Sequence, residues 1–169
     1  MKYKKIAFIG MMGCGKTTIS RLLAYKSGFL FVDLDEIFEK ENNIKIKDFF
    51  KTQGETAFRK KETEILERFS KTENIIISTG GGIILKQENQ EILFNKDIFT
   101  IYLKTSAENI FNRIKNDTTR PLLLVSNPKK EIEKILSSRE FLYEKANLII
   151  TTNNKTKEEI LEEVWKKLI

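Results

Sequence analysis

Residues Gly10-Met11-Met12-Gly13-Cys14-Gly15-Lys16-Thr17 match the pattern G-x-x-x-x-G-K-[ST] at every fixed position. The match follows the apolar run Lys5 to Gly10 and precedes a stretch in which Ile19, Leu22 and Leu23 share one helical face. Strand, glycine loop and helix in that order constrain the fold more than any other feature of the chain. Glycines let backbone N–H groups converge on phosphate oxygens, and the helix N-terminus adds positive potential. In this reading Lys16 reaches the β- and γ-phosphates and the Thr17 hydroxyl coordinates Mg²⁺. Gly13, Cys14, Gly15 and Thr18 complete the nucleotide-binding positions, Cys14 mostly through its backbone N–H. The implied ligand is a nucleoside triphosphate with magnesium; a plain glycine turn is the alternative.

The rest of the chain repeats the alternation. Phe29 to Val32 reads as a strand leading into a helix around Glu36 to Lys40. Ile46 to Phe50 is a short amphipathic piece, and Glu55 to Lys71 a long helix with Phe58, Ile65, Leu66 and Phe69 inward. Ile75 to Ile77 is a buried strand that runs into Ser78-Thr79 and the triple glycine Gly80-Gly81-Gly82. Phe99 to Leu103 is a fourth strand, after which Thr105 and Glu108 have the spacing of a capping box. Between residues 116 and 128 the periodicity stops, and this stretch, with Arg120 and both prolines, is expected to be a mobile loop. A helix over 129–145, a strand Leu148 to Thr151 and a helix opened by Thr156 and Glu159 follow. Five apolar strands alternating with helices predict an α/β fold: a parallel sheet covered on both faces, with its ligand site at the carboxyl ends of the strands. At 169 residues and 40% hydrophobic composition, one domain spanning 1–169 is expected.

Composition removes several chemistries. The chain contains no histidine, so a general base must be a carboxylate, lysine, tyrosine, thiol or bound water, and Ser-His-Asp and His-metal catalysis are excluded. A single cysteine, Cys14, makes neither an internal disulfide nor a metal cluster. No apolar run approaches the roughly 20 residues that span a bilayer, and Met1 to Lys5 leads into only a short apolar stretch. No signal peptide or membrane partner is expected, and the expected location is cytoplasmic. The net charge of +6 favours an anionic partner without specifying one. Only six of the thirty basic residues are arginine: Arg21, Arg59, Arg68, Arg113, Arg120 and Arg139. In so lysine-rich a chain, arginines are the candidates for two-pronged recognition of carboxylate or phosphate.

Among the strands, only Phe29 to Val32 ends in the aspartate expected to support magnesium, Asp33. Asp35, two residues on, is then the best-placed base for an acceptor hydroxyl. A helix cap plus a solvated acid is the competing account of this pair.

Taken in order, Gly10 to Thr17, Asp33-Leu34-Asp35, Phe58-Arg59, Thr79 to Gly82, Arg120-Pro121-Leu122-Leu123 and Arg139 closely resemble shikimate kinase, over essentially the whole chain. The resemblance implies a three-layer P-loop kinase fold of the nucleoside monophosphate kinase type, a five-stranded parallel sheet and a mobile lid. It implies ATP-dependent phosphorylation of the shikimate 3-hydroxyl, with Mg²⁺, by a monomer. Carried over, Asp35 is the ligand of shikimate hydroxyls and catalytic base, with Lys16 and Arg120 in the catalytic set and Thr17 and Asp33 at the metal. Arg59 and Arg139 would hold the shikimate carboxylate, and Gly80, Gly81 and Gly82 would admit substrate oxygens to the backbone. Arg120 matches the lid arginine and Arg113 the arginine against adenine, a solvated helix arginine being the plainer account of Arg113. Thr151 to Lys155, with Asn154, matches the adenine loop but lacks the proline of many relatives. Ile46, Phe50 and Phe58 match an apolar wall of the acceptor pocket and fit ordinary helix core equally well.

Two other readings stay open from the residues alone. One is a small P-loop kinase for a nucleoside monophosphate or gluconate, which shares the phosphate chemistry. The other is a nucleotide-dependent switch or RNA-binding module, against which stand the scattered lysines and the absence of an aromatic-plus-basic motif. No nucleic-acid partner is expected.

Overall fold

The computed structural model describes residues 1–116 and 125–169. The strands are β1 (Lys5–Ile9), β2 (Leu30–Asp33), β3 (Ile75–Ser78), β4 (Phe99–Lys104) and β5 (Leu148–Thr151). Every neighbouring pair is parallel, and the order across the sheet is β2-β3-β1-β4-β5. The helices are α1 (Lys16–Ser27), α2 (Leu34–Asn42), α3 (Ile46–Ser70), α4 (Gln87–Leu93), α5 (Ala107–Ile114), α6 (Pro128–Tyr143) and α7 (Lys157–Leu168), with a 3-10 turn at Ile83–Leu85.

The period-2 geometry of the strands divides their apolar residues between two cores. Ala7, Ile9, Ile75, Ile77 and Tyr102 face a layer built with Phe38 of α2, Phe58 and Leu66 of α3, and Tyr143 of α6. Ile6, Phe8, Ile76, Ile101 and Leu103 face the opposite layer, made with Leu23 of α1 and Val164 of α7. Burial on both faces explains why the strands read as unbroken apolar runs. A third cluster joins Met11 of the phosphate loop to Ile110 and Ile114 of α5 and Ile132 of α6.

Three details depart from the expectations. The segments over 46–50 and 55–71 form α3, in which Gly54 breaks the helical path at φ 80° and ψ 170°. The residue capping α5 is Ser106, whose side chain accepts from the Asn109 N–H, because the Thr105 hydroxyl is turned onto Thr152 Oγ1 at 2.6 Å. The 3-10 turn and α4, over 83–93, had no counterpart in the sequence pattern. The expected capping box at Thr156 and Glu159 is present. Of the expected loop, residues 117–124, including Arg120, lie outside the described residues; Asn127 then caps α6, with Pro128 as its first residue.

Candidate active site

The phosphate loop emerges from β1, the central strand, and turns into α1. Gly15 occupies the N-cap of α1 at φ 102° with no side-chain cap, which leaves the first N–H groups of the helix for a ligand. Gly13, at φ 76°, lies so close to α5 that an added Cβ would stand 2.7 Å from Ile114 Cγ2. The loop is closed on itself. Lys16 is buried and donates to the carbonyls of Gly10 at 2.8 Å and Met11 at 3.0 Å, while the Cys14 N–H donates to the Met11 carbonyl. Thr18, on the first turn of α1, lines the cavity beside the loop.

Asp33 serves two neighbours. Its Oδ1 accepts from the N–H groups of Asp35 and Glu36, capping α2, and its Oδ2 accepts from Thr17 Oγ1 at 2.7 Å. The Ser78 hydroxyl, at the end of the adjacent β3, lies 3.3 Å from Thr17 Oγ1. Hydroxyl and carboxylate oxygens are the hard donors that magnesium takes, so Thr17 and Asp33 fit a magnesium site completed by phosphate and water.

Asp35 stands in the wall of a cavity of about 420 Å³ shared with Lys16, Thr17, Thr79, Gly81 and Arg113. Burial, and then the neighbouring Asp33 carboxylate, push its pKa up to about 6, against the opposing pull of Lys16 and Arg59. The cap account therefore holds for Asp33, whereas Asp35 is a perturbed acid in a cavity rather than a solvated one.

On α3, Arg59 donates Nη1 to Glu62 at 2.7 Å and Nη2 to Glu55 at 3.1 Å. Glu62 is 3% exposed, and its Oε1 has no hydrogen-bond partner among the described residues. Burial pushes the Glu62 carboxyl above its ordinary pKa, and Arg59 pulls it back. The triple glycine runs between these groups. A Cβ on Gly80 would stand 2.9 Å from Glu62 Oε1 and 3.0 Å from Asp35 Oδ1, and one on Gly82 would collide with the Arg59 guanidinium. Close approach, rather than backbone strain, sets these two positions: a side chain there would have to displace the ends of Glu62 and Asp35 or of Arg59. From α6, Arg139 and Tyr143 both donate to the Gly81 carbonyl.

Arg113 bridges the phosphate loop and the segment after β5, donating to the carbonyls of Cys14 and Thr152, each at 3.1 Å. It is not a free surface arginine. Asn154 is exposed, at φ 56°, and is not part of the cavity wall; the side chain of the preceding Asn153 accepts from the Ser106 N–H. Phe58 packs edge-on against Phe38, with ring centroids 4.9 Å apart, and at a 38° tilt against Phe50 at 4.7 Å, within the core, while Ile46 and Phe50 sit at its margin. Glu62, Ser78, Thr79 and Tyr143 also belong to this neighbourhood. Thr79 opens the glycine motif already singled out, and sequence spacing offered a signal for Glu62, three residues after Arg59, and for Tyr143, four after Arg139.

A phosphate loop on the central strand, opening into a cavity walled by an acid and flanked by arginines, is the layout of a small P-loop kinase. The family model described as shikimate kinase matches residues 12–169. A shikimate kinase of Thermodesulfovibrio yellowstonii is 42% identical over 164 residues, covering 97% of this chain and 94% of that protein. One of Persephonella marina is 40% identical over 165 residues, covering 98% and 99%. Among solved structures, shikimate kinase from Acinetobacter baumannii in complex with shikimate superposes with a TM-score of 0.92 at 33% identity, covering 98% of this chain and 93% of that one. The chain belongs to the shikimate kinase family.

Proposed function

We propose that the protein transfers the γ-phosphoryl group of ATP to the 3-hydroxyl of shikimate, giving shikimate 3-phosphate and ADP, on the route to chorismate and the aromatic amino acids. The observation that carries this reading is the position of Asp35. Its carboxylate shares one cavity wall with the phosphate-loop lysine and lies beside an arginine suited to an acid. A nucleotide acceptor would need a base pocket there instead.

In this mechanism the Lys16 ammonium exchanges the carbonyls of Gly10 and Met11 for phosphate oxygens, which keeps it desolvated and paired throughout. Thr17 and Asp33 hold Mg²⁺, which when bound offsets the charge of the β- and γ-phosphates. Asp35 orients the 3-hydroxyl and accepts its proton as the new P–O bond forms and the bond to ADP breaks. A pKa near 6 leaves Asp35 mostly ionised at neutral pH yet more basic than an ordinary aspartate. Arg59 is held in place by Glu55, through Nε and Nη2, and by Glu62, through Nη1, and its remaining Nη N–H donors are read as meeting the acceptor's carboxylate. Arg139 joins it by leaving the Gly81 carbonyl. Arg120 is assigned transition-state charge on the strength of the sequence resemblance. By the same resemblance Arg113 is read as the arginine that lies against adenine. The protein is read as one domain over 1–169 that acts as a monomer. A cytoplasmic location is part of the same reading; among the described residues no helix is long and apolar enough to cross a membrane.

Coupled ADP release with Mg-ATP tests the proposal, comparing shikimate with gluconate, a panel of nucleoside monophosphates and no acceptor. Release that depends on shikimate is expected. Release with another acceptor would overturn the pocket assignment, and release with none would indicate a nucleotide switch.

A further inference from the structure

Two side chains one turn apart on α6 share a single acceptor, the carbonyl of Gly81. Tyr143 donates its hydroxyl, and Arg139 donates Nη1 at 3.4 Å, near the limit of a useful hydrogen bond. The two donors differ in freedom. Tyr143 is fully buried, and its ring stacks on Tyr102 with centroids 5.0 Å apart and an interplanar angle of 23°. Tyr102 in turn lies on β4 opposite Ile9, the last residue of β1 before the phosphate loop. The Tyr143 ring therefore has nowhere to swing. Burial holds both phenols above their ordinary pKa, so the Tyr143 hydroxyl remains a donor at any working pH. Arg139, partly exposed and long, is free to leave.

The carbonyl they hold is structurally consequential. The Gly81–Gly82 peptide is trans, so fixing the Gly81 carbonyl toward α6 fixes the Gly82 N–H in the opposite direction. Among the described residues no backbone carbonyl accepts from the N–H of Gly81 or Gly82. On its other side Gly81 touches the phosphate loop, where an added Cβ would stand 3.1 Å from the Met12 nitrogen. The Gly80 and Gly82 carbonyls accept from the N–H groups of Ile83 and Leu85, so among the described residues the Gly81 carbonyl is the one of the three whose direction depends on side-chain donors.

We infer that Tyr143 is a positioning residue of the acceptor site: it clamps the Gly81 carbonyl so that the Gly81–Gly82 peptide keeps its orientation when Arg139 departs to bind the acceptor's carboxylate. The inference deepens the proposed function and rests on its reading of Arg139. Tyr143 touches no reacting atom. Its effect passes through the direction of the Gly82 N–H.

Tyr143→Phe tests this, because it keeps the ring and its stacking and removes only the hydroxyl. In the ligand-free protein, amide exchange over residues 80–85 is expected to quicken several-fold while β1 and β4 keep wild-type protection. Unchanged exchange over 80–85 overturns the clamp. In steady-state kinetics the acceptor KM is expected to rise about five- to tenfold, with the ATP KM within twofold, as suits one lost hydrogen bond at the acceptor side. A fall in kcat alone, with the acceptor KM unchanged, overturns the positioning role. Should the wild type prove to use an acceptor other than shikimate, the same KM split is read on that acceptor. Failure of the shikimate reading and failure of the clamp are thus separate results.

Discussion

Replacing Asp35 with asparagine is expected to make the ligand-free protein more stable at neutral pH while removing its turnover. The pKa of Asp35 rises from 3.8 to about 6 on folding, chiefly through burial and the nearby Asp33. Between those values the folded chain holds the proton that the unfolded chain has released, so stability falls as pH rises through that window. Above about pH 6 the full cost is present, and below about pH 4 it vanishes because both states are protonated. At ~1.4 kcal/mol for each tenfold change in proton affinity, the rise corresponds to a ceiling of about 3 kcal/mol. Asp35 lies in the wall of an open cavity, and solvent there reduces the effect to roughly 1–2 kcal/mol. For a chain of this size that is a rise in Tm of about 3–6 °C. The assay is thermal or urea unfolding of the wild type and Asp35→Asn without metal or nucleotide, at pH 7.5 and pH 4. The variant should melt higher at pH 7.5, with the gap closing at pH 4, and should lose kcat severely with ATP affinity near normal. Equal or lower stability at pH 7.5 would refute the argument that the site holds this charge at a cost. Wild-type turnover would remove Asp35 from the role of base.

Three further substitutions probe the neighbours. Arg59→Lys keeps a charge beside buried Glu62 but loses the fork, so the acceptor KM should rise roughly tenfold while the protein stays folded; an unchanged KM speaks against carboxylate recognition by Arg59. Gly82→Ala places a methyl 2.7 Å from Arg59 Cζ, which should displace the guanidinium and raise the acceptor KM, while calorimetric ATP binding stays as in the wild type; normal kinetics would mean that Arg59 has room to yield. Gly54→Ala meets no neighbour but forces a side chain into φ 80°, ψ 170°, so a loss of about 1–3 kcal/mol is expected in urea unfolding, and an unchanged midpoint would show that the break in α3 does not need glycine.

The phosphate loop was legible because its chemistry is local: glycines, lysine and threonine within eight residues, flanked by a strand and a helix, leave few alternatives. The strands were legible for a related reason, since burial on both faces makes Ile6 to Ile9 or Ile75 to Ile77 apolar without interruption. Errors fell where two local solutions compete. Thr105 and Ser106 can both cap α5, and the choice went to Ser106 because Thr152, forty-seven residues away, takes the Thr105 hydroxyl. The 3-10 turn and α4 were missed because they are short and follow a glycine run, so no full helical period accumulates. Glu62 shows the limit on the site itself. Its i, i+3 relation to Arg59 resembles an ordinary surface pair until burial of the carboxylate and the proximity of Gly80 give it a different setting.

The sequence alone thus determined the alternating α/β pattern, the phosphate loop and the order of the motifs, because each of these is written in contiguous residues and their periodicity. Only the tertiary structure decided which face of each strand meets which helix layer, that Asp33 caps while Asp35 faces the cavity, and that Arg113 ties the loop to Thr152. It also decided why the three glycines stand where they do. Gly80, Gly81 and Gly82 are set by the carboxylates of α2 and α3, the phosphate loop, and the tyrosine and arginines that approach from α3 and α6. Close contacts between segments distant in the chain fix such positions, and a linear pattern carries no record of those distances.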